Sequence, residues 1–341
     1  MKQALLNVMR LTGAFEPFRL ANRNKALILT YHRFGESGPD MTPPRVFVRQ
    51  LSYLQKHYRV VSLSRLCTSL TNGEPPTRGL AAITIDDGYR DAYEIAFPLL
   101  QKFNLPATLF VVTDFVDRRG WLWTDKMRFL ASRVTRPAIG KAAEQCGISI
   151  ENQCATATPT TKLNEFLKSL SDHAKDEAIS RIAARLGVEL PPVPPQEFGA
   201  ITWDQAREMD SAQVELGSHT ATHPILTRVD DQKLSAELNN SRTRLEENLD
   251  RRVDLFCYPN GDYDQRVLRA ANRAGYSCAV TIESGLNEAG CDAMQLRRVH
   301  TANDHSRFLQ NTSGFDQLKT QLIHRESVRA KETMFSTAAQ S

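Results

Sequence analysis

The sequence predicts an α/β fold closed, or nearly closed, into a barrel, and three observations carry that expectation. From residue 26 onward, short β-rich runs alternate with helix-length amphipathic segments, as parallel strands joined by crossover helices do. Most of the β runs are continuously apolar, the mark of strands covered on both faces. Their number, seven, suits a barrel better than an open sheet, although spacing alone leaves closure undecided.

Strands are expected at 26–31, 58–61, 81–85, 107–112, 213–216, 255–258 and 278–281, and helices at 46–57, 91–103, 230–249 and 265–274. In the third helix Leu234, Leu238, Leu245 and Leu249 line one stripe. The alternation breaks over about 117–200, which shows no clear buried strand, holds two helical stretches and ends in Pro191-Pro192-Val193-Pro194-Pro195. That stiff, extended run would return the chain to the barrel without adding a core element. The region therefore reads as a helical insertion, either overhanging the rim where a barrel does its work or decorating the surface as a hairpin. The expected organisation is an amphipathic segment at 1–25, a barrel at 26–305, and a C-terminal helix with a flexible tail at 306–341.

A chain of 341 residues can bury a large core, and its 41% hydrophobic and 24% charged residues are ordinary for a globular protein. A net charge of +4 is too balanced to seek nucleic acid, so no such partner is expected. The six cysteines contain no C-x-x-C pair and read as reduced thiols in a reducing compartment. No apolar run approaches membrane-spanning length. Asn7, Arg10 and Glu16 interrupt the first apolar stretch and no A-x-A pattern follows, so the expectation is a cytoplasmic protein without a signal peptide. Residues 1–25 carry five basic side chains and one acid, with Leu5, Leu6 and Met9 at helical spacing. Such a segment packs on its own domain or rests peripherally on the anionic inner face of a membrane.

The chemistry concentrates where strands end. The run Ala81-Ala82-Ile83-Thr84-Ile85 stops in Asp86-Asp87-Gly88. Adjacent side chains point in different directions, so one carboxylate can hold a cation while the other moves a proton. Alone, two acids before a glycine are more often a solvated turn. After the strand at 213–216 come His219 and His223, four apart. The residue after His219 is Thr220, so the zinc-protease signature is excluded. Two imidazoles and a carboxylate nevertheless make the open three-ligand site in which zinc keeps a water, which Asp87, His219 and His223 could supply. His32 closes the first strand, and Tyr258-Pro259-Asn260-Gly261 follows another. Parallel barrel strands would bring all of these to one rim.

Taken together, Thr84-Ile85-Asp86-Asp87-Gly88, His219-Thr220-Ala221-Thr222-His223 and Phe256-Cys257-Tyr258-Pro259-Asn260-Gly261 resemble the polysaccharide deacetylase family, of NodB homology and carbohydrate esterase family 4, over roughly residues 26–300. The resemblance implies a deformed (β/α)7 barrel that removes N-acetyl groups from a sugar. It implies Asp86 as general base and Asp87, His219 and His223 as ligands of a divalent metal, usually zinc. Tyr258, Pro259 and Asn260 would line the substrate groove, with the Asn260 N–H helping to hold the oxyanion. Two positions depart from the pattern. Cys257 stands where the family has an arginine that steadies the base, and Arg298 is the candidate replacement. The C-terminal Leu-x-x-His acid motif is not evident, whereas Leu29-Thr30-Tyr31-His32 resembles the poly-N-acetylglucosamine-deacetylase-like branch, in which that histidine is the acid. His300 is a rival. The competing readings are hydrolysis of a non-carbohydrate C–N bond and a non-catalytic carbohydrate-binding barrel.

Overall fold

The structure is a computed structural model that describes residues 2–38, 41–73, 79–148 and 159–316. Ten strands occur in this part of the chain: β1 Leu27–Tyr31, β2 Arg33–Phe34, β3 Met41–Thr42, β4 Arg59–Val60, β5 Leu80–Ile85, β6 Ala107–Val111, β7 Val214–Ser218, β8 Leu255–Cys257, β9 Cys278–Ser284 and β10 Leu296–His300. Seven of them, β1, β5, β6, β7, β8, β9 and β10, form a ring in which every pairing is parallel. The ring closes where β1 pairs along its whole length with β5, from Leu27 beside Ala81 to Tyr31 beside Ile85. This is the expected (β/α)7 barrel with helices around it.

One expected stave was wrong and one was missed. The run at 58–61 yields only β4, two residues paired to the start of β5 outside the ring. The seventh stave is instead β10, whose sequence Leu-Arg-Arg-Val-His lacks an apolar run because Arg298 is buried by pairing rather than by hydrophobicity. β2 and β3 form a separate ribbon.

Alternation along the staves sorts their side chains. Ile28, Ala82, Phe110, Cys257, Val280 and Leu296 share one buried cluster, into which Leu63, Leu66 and Leu70 of the helix Leu63–Thr71 also pack. Leu27, Leu29, Ile83, Ile85, Leu109 and Leu216 belong to the other large cluster, against the surrounding helices. The barrel is narrow enough that Phe110 fills it. A Cβ on Gly217 would stand 2.6 Å from the Phe110 ring, so glycine is required there.

The expected helices occur as Pro44–His57, Asp231–Leu249 and Gln265–Arg273. The segment at 91–103 begins as a π-helical turn, Ala92–Ala96, before the α-helix Phe97–Phe103. The described residues of the insertion hold four α-helices rather than two stretches: Trp123–Arg133, Arg136–Gln145, Pro159–Ser169 and Asp172–Leu186. They surround a core of their own that includes Leu130, Ile139, Ala143, Leu163, Leu167 and Ile179. The expected C-terminal helix is His305–Thr312, and the expected tail lies outside the described residues from 317 onward. No helix among the described residues is long and apolar enough to cross a membrane. Cys67, Cys146, Cys257, Cys278 and Cys291 are free thiols, and Cys154 lies outside the described residues.

Candidate active site

Register sets the site. Because Tyr31 pairs with Ile85, the next residues of the two strands, His32 and Asp86, emerge side by side, and the Asp86 N–H donates to the Tyr31 carbonyl at 2.9 Å. Val111 pairs with Ser218, and the His219 N–H donates to the Val111 carbonyl at 2.9 Å. The C-terminal rim thus gathers His32, Asp86, Asp87, His219, His223 and Arg298 around a cavity of about 820 Å³. The insertion builds the facing wall with Trp123, Met127 and Arg128, so it overhangs the site.

Arg298 reaches Asp86 through two parallel hydrogen bonds, from Nη1 to Oδ1 at 2.7 Å and from Nη2 to Oδ2 at 2.8 Å. Both side chains are buried. Burial alone would raise the pKa of Asp86, but the Arg298 charge, aided by His32, holds it well below the usual carboxylate range. The Cys257 thiol lies beside the pair, 3.6 Å from Asp86 Oδ2, and burial pushes its pKa up. Arg298, the candidate replacement, thus gives Asp86 a charged partner that Cys257 does not.

Asp87 faces the two histidines. Its Oδ1 lies 3.6 Å from His219 Nε2 and 3.7 Å from His223 Nε2, and the two Nε2 atoms are 3.2 Å apart. His219 Nδ1 is 2.7 Å from the Cys257 carbonyl. A carbonyl only accepts, so Nδ1 carries the proton and Nε2 presents its lone pair to the cluster. Burial lowers the pKa of His219 to about 3, with the His223 charge adding to the effect, and lowers that of His223 to about 4. Burial raises Asp87 to about 6; the Asp86 charge adds to this while His32 opposes it. Two imidazoles whose Nε2 atoms converge with a buried carboxylate form a donor set that could hold a divalent cation. An overlapping group, Asp86, His219 and Cys257, also has its atoms close together, but its acid is committed to Arg298 and its sulfur is held as a thiol.

The backbone bends to make this arrangement. Asp87, Thr220, His223 and Asn260 all have positive φ, at 76°, 68°, 62° and 55°, a costly conformation that clusters at functional sites. Glu237, buried in the helix Asp231–Leu249, holds the histidine loop. It accepts the Ala221 and Thr222 N–H groups at 2.9 Å each and the Thr222 hydroxyl at 2.6 Å. On the insertion side, Tyr89 donates its hydroxyl to buried Asp125 at 2.8 Å, and Arg128 donates to the same carboxylate at 2.9 Å. Sequence reasoning overlooked Glu237, Asp125 and Arg128 because charged residues in amphipathic helices usually face water. The spacing of Glu237, one turn after Lys233, offers no signal of its depth.

His32 Nε2 lies 3.7 Å from Asp86 Oδ2, with its side chain partly exposed to the cavity. His300, at the end of β10, lines the same cavity. Asn260 lines it too, and its side chain donates to Asp262 at 2.6 Å. Tyr258 contributes to the wall, but it is wholly buried and its hydroxyl is spent on the Met294 carbonyl at 3.0 Å. Pro259 is buried behind the turn. Gly261 is needed there because φ is 72° and a Cβ would collide with Ile282.

Comparison with known proteins bears on the family and the fold. YxkH of Bacillus subtilis (strain 168), named as a polysaccharide deacetylase, is 22% identical over 279 residues, covering 82% of this chain and 72% of YxkH. The poly-β-1,6-N-acetyl-D-glucosamine N-deacetylase of Escherichia coli (strain K12) is 24% identical over 258 residues, which is 75% of this chain but only 33% of that longer protein. The structure of the Streptococcus pyogenes deacetylase PplD in complex with acetate superposes with a TM-score of 0.58 at 20% identity, over 85% of this chain and 99% of that one. At this identity the superposition speaks for the fold alone. The family model for polysaccharide deacetylase matches residues 73–279, the stretch that supplies both aspartates, both histidines and the Tyr258 turn, and the chain therefore belongs to the polysaccharide deacetylase family.

Proposed function

We propose that this carbohydrate deacetylase is metal-dependent and removes N-acetyl groups from an amino sugar, with Asp86 as base and His32 as acid. The observation that carries the reading is the division of labour between neighbours: Asp87 faces two neutral histidines while Asp86 is held apart by Arg298. Asp87, His219 and His223 would hold the cation, most suitably Zn2+, which when bound polarises a carbonyl and makes water more acidic.

The chain's own groups do the rest. Asp86, kept anionic by Arg298, accepts the proton of the attacking water. The Asn260 N–H, on the strained turn at the cavity wall, supports the negative charge that grows on the acetyl oxygen. His32 faces the cavity beside Asp86 and would deliver a proton to the departing amine. Trp123 and Met127 of the insertion supply apolar surface for a sugar ring and help to exclude water.

The test is acetate release from β-1,6-linked N-acetylglucosamine oligomers, chito-oligosaccharides and lipid-linked N-acetyl sugars, before and after chelation. Release that a chelator abolishes and added Zn2+ restores is the expected result. Release that survives complete removal of metal would overturn metal dependence, and absence of release from every N-acetylated sugar would overturn the substrate class.

A further inference from the structure

The helix Lys2–Leu11 carries more apolar surface than the domain covers. Leu6 is buried, and Met9 packs beside it against the cluster that contains Phe15 and Phe308. Leu5, Val8 and Leu11, recurring every three residues on the same helix, remain 61%, 55% and 74% exposed. Leu20 of the following helix, Glu16–Ala21, is exposed as well. Four of the six large apolar side chains exposed among the described residues therefore lie in this one helix pair. Such concentration marks an interaction surface rather than scattered exposure.

Charge indicates the partner. Residues 1–25 contain Lys2, Arg10, Arg19, Arg23 and Lys25 against Glu16 alone. Arg19 is paired with Glu16, and Lys25 with Glu288. More basic groups gather beside the helix. Arg49 donates to the Asn303 carbonyl at 3.1 Å, and Arg307 donates to Gln3 Oε1 at 3.4 Å. The helix also stands next to the catalytic cavity: Gln3 donates to Asp304 at 3.0 Å, and the preceding residue, Asn303, lines that cavity.

We infer that the helix Lys2–Leu11 docks this protein on an anionic lipid surface, with the cavity mouth alongside. Leu5, Val8 and Leu11 enter the boundary between headgroups and acyl chains, while the flanking arginines sit over anionic headgroups. The consequence, that the N-acetylated sugar is presented from a membrane, rests on the deacetylase reading; the docking does not.

The test is co-sedimentation of the full chain with vesicles. Partitioning onto phosphatidylglycerol-containing vesicles is expected, weaker on pure phosphatidylcholine and weakened by salt. The triple variant Leu5→Glu/Val8→Glu/Leu11→Glu should lose at least about tenfold of that partitioning, with its melting temperature and its acetate release from a soluble sugar unchanged. No sedimentation with anionic vesicles, equal sedimentation with neutral ones, or an undiminished triple variant overturns the inference. So does dimerisation in the absence of lipid that the variant abolishes, since the occupant would then be a second copy of the chain. Vesicle binding is read without turnover, so an inactive protein that still binds would refute only the deacetylase reading. An active protein indifferent to vesicles would refute only the docking.

Discussion

The Arg298 guanidinium and the Asp86 carboxylate, 212 positions apart in the chain, meet at two points inside the barrel rim. Both are desolvated, so breaking the pair leaves a buried charge without a partner. Arg298→Ala is expected to lower stability by about 3–5 kcal/mol in urea unfolding. Arg298→Lys, which keeps the charge and loses the fork, should fall between. In whichever variant retains turnover, the acid limb of the kcat/KM profile should move to higher pH, because Asp86 must be anionic and has lost the charge that kept its pKa low. An unshifted limb, measured with Zn2+ saturating at every pH so that Asp87 does not set it, would show that Asp86 is not the titrating base.

Cation binding should depend on pH through Asp87 first. His219 and His223 stay neutral down to about 3 and about 4, whereas Asp87 titrates at about 6. Below that pH a proton competes with the cation for the carboxylate, so Zn2+ affinity should fall about tenfold per pH unit. In cation-free protein the stability effects oppose one another. The raised Asp87 pKa costs stability as pH rises from about 4 through 6. The lowered histidine pKa values cost stability as pH falls below about 6.5, where the unfolded histidines take up protons. The gain in melting temperature on adding Zn2+ is therefore the cleaner readout, and it should be larger at pH 7 than at pH 5. Equal affinity at the two pH values would contradict this assignment.

Sequence patterns revealed the barrel and the acid and histidine motifs because those signals are local: an apolar run that ends in Asp86-Asp87, and two histidines four residues apart. What escaped depends on pairing across the fold. β10 reads as a charged segment until Arg298 is seen to be neutralised by Asp86, and 58–61 looks like a stave although only Arg59 and Val60 pair. The insertion's four helices were blurred into two stretches because their core, Leu130 against Ile139, Leu163 and Ile179, forms between helices rather than along any one of them. Tyr258 shows the reverse. Its place in the motif was legible, but its hydroxyl faces the Met294 carbonyl, a contact that no local pattern announces.

Glu237 should matter to the cation without touching it. Glu237→Ala would leave the Ala221 and Thr222 N–H groups without their acceptor and free the loop between the two histidines. Positioning groups of this kind typically contribute about 10–100-fold in metal affinity, and a loss in that range is expected. Glu237→Gln keeps an acceptor oxygen and should recover part of it. If Glu237→Ala lowers the melting temperature while Zn2+ affinity holds, the residue supports the helix and not the site.

The two candidate acids can be told apart by what each removal spares. His32 stands 3.7 Å from Asp86, within the space where attack and departure must be coupled. His300 shares the cavity, but desolvation and the Arg298 charge lower its pKa, so it holds a transferable proton less well near neutrality. His32→Ala is therefore expected to reduce kcat by about 10²–10⁴-fold with the bound Zn2+ unchanged, whereas His300→Ala should cost less than about tenfold. Metal content measured on the purified variants separates the outcomes. Zinc lost together with activity in His32→Ala would make that histidine a ligand or a support, and the larger kcat loss in His300→Ala would transfer the proton-donor role to the end of β10.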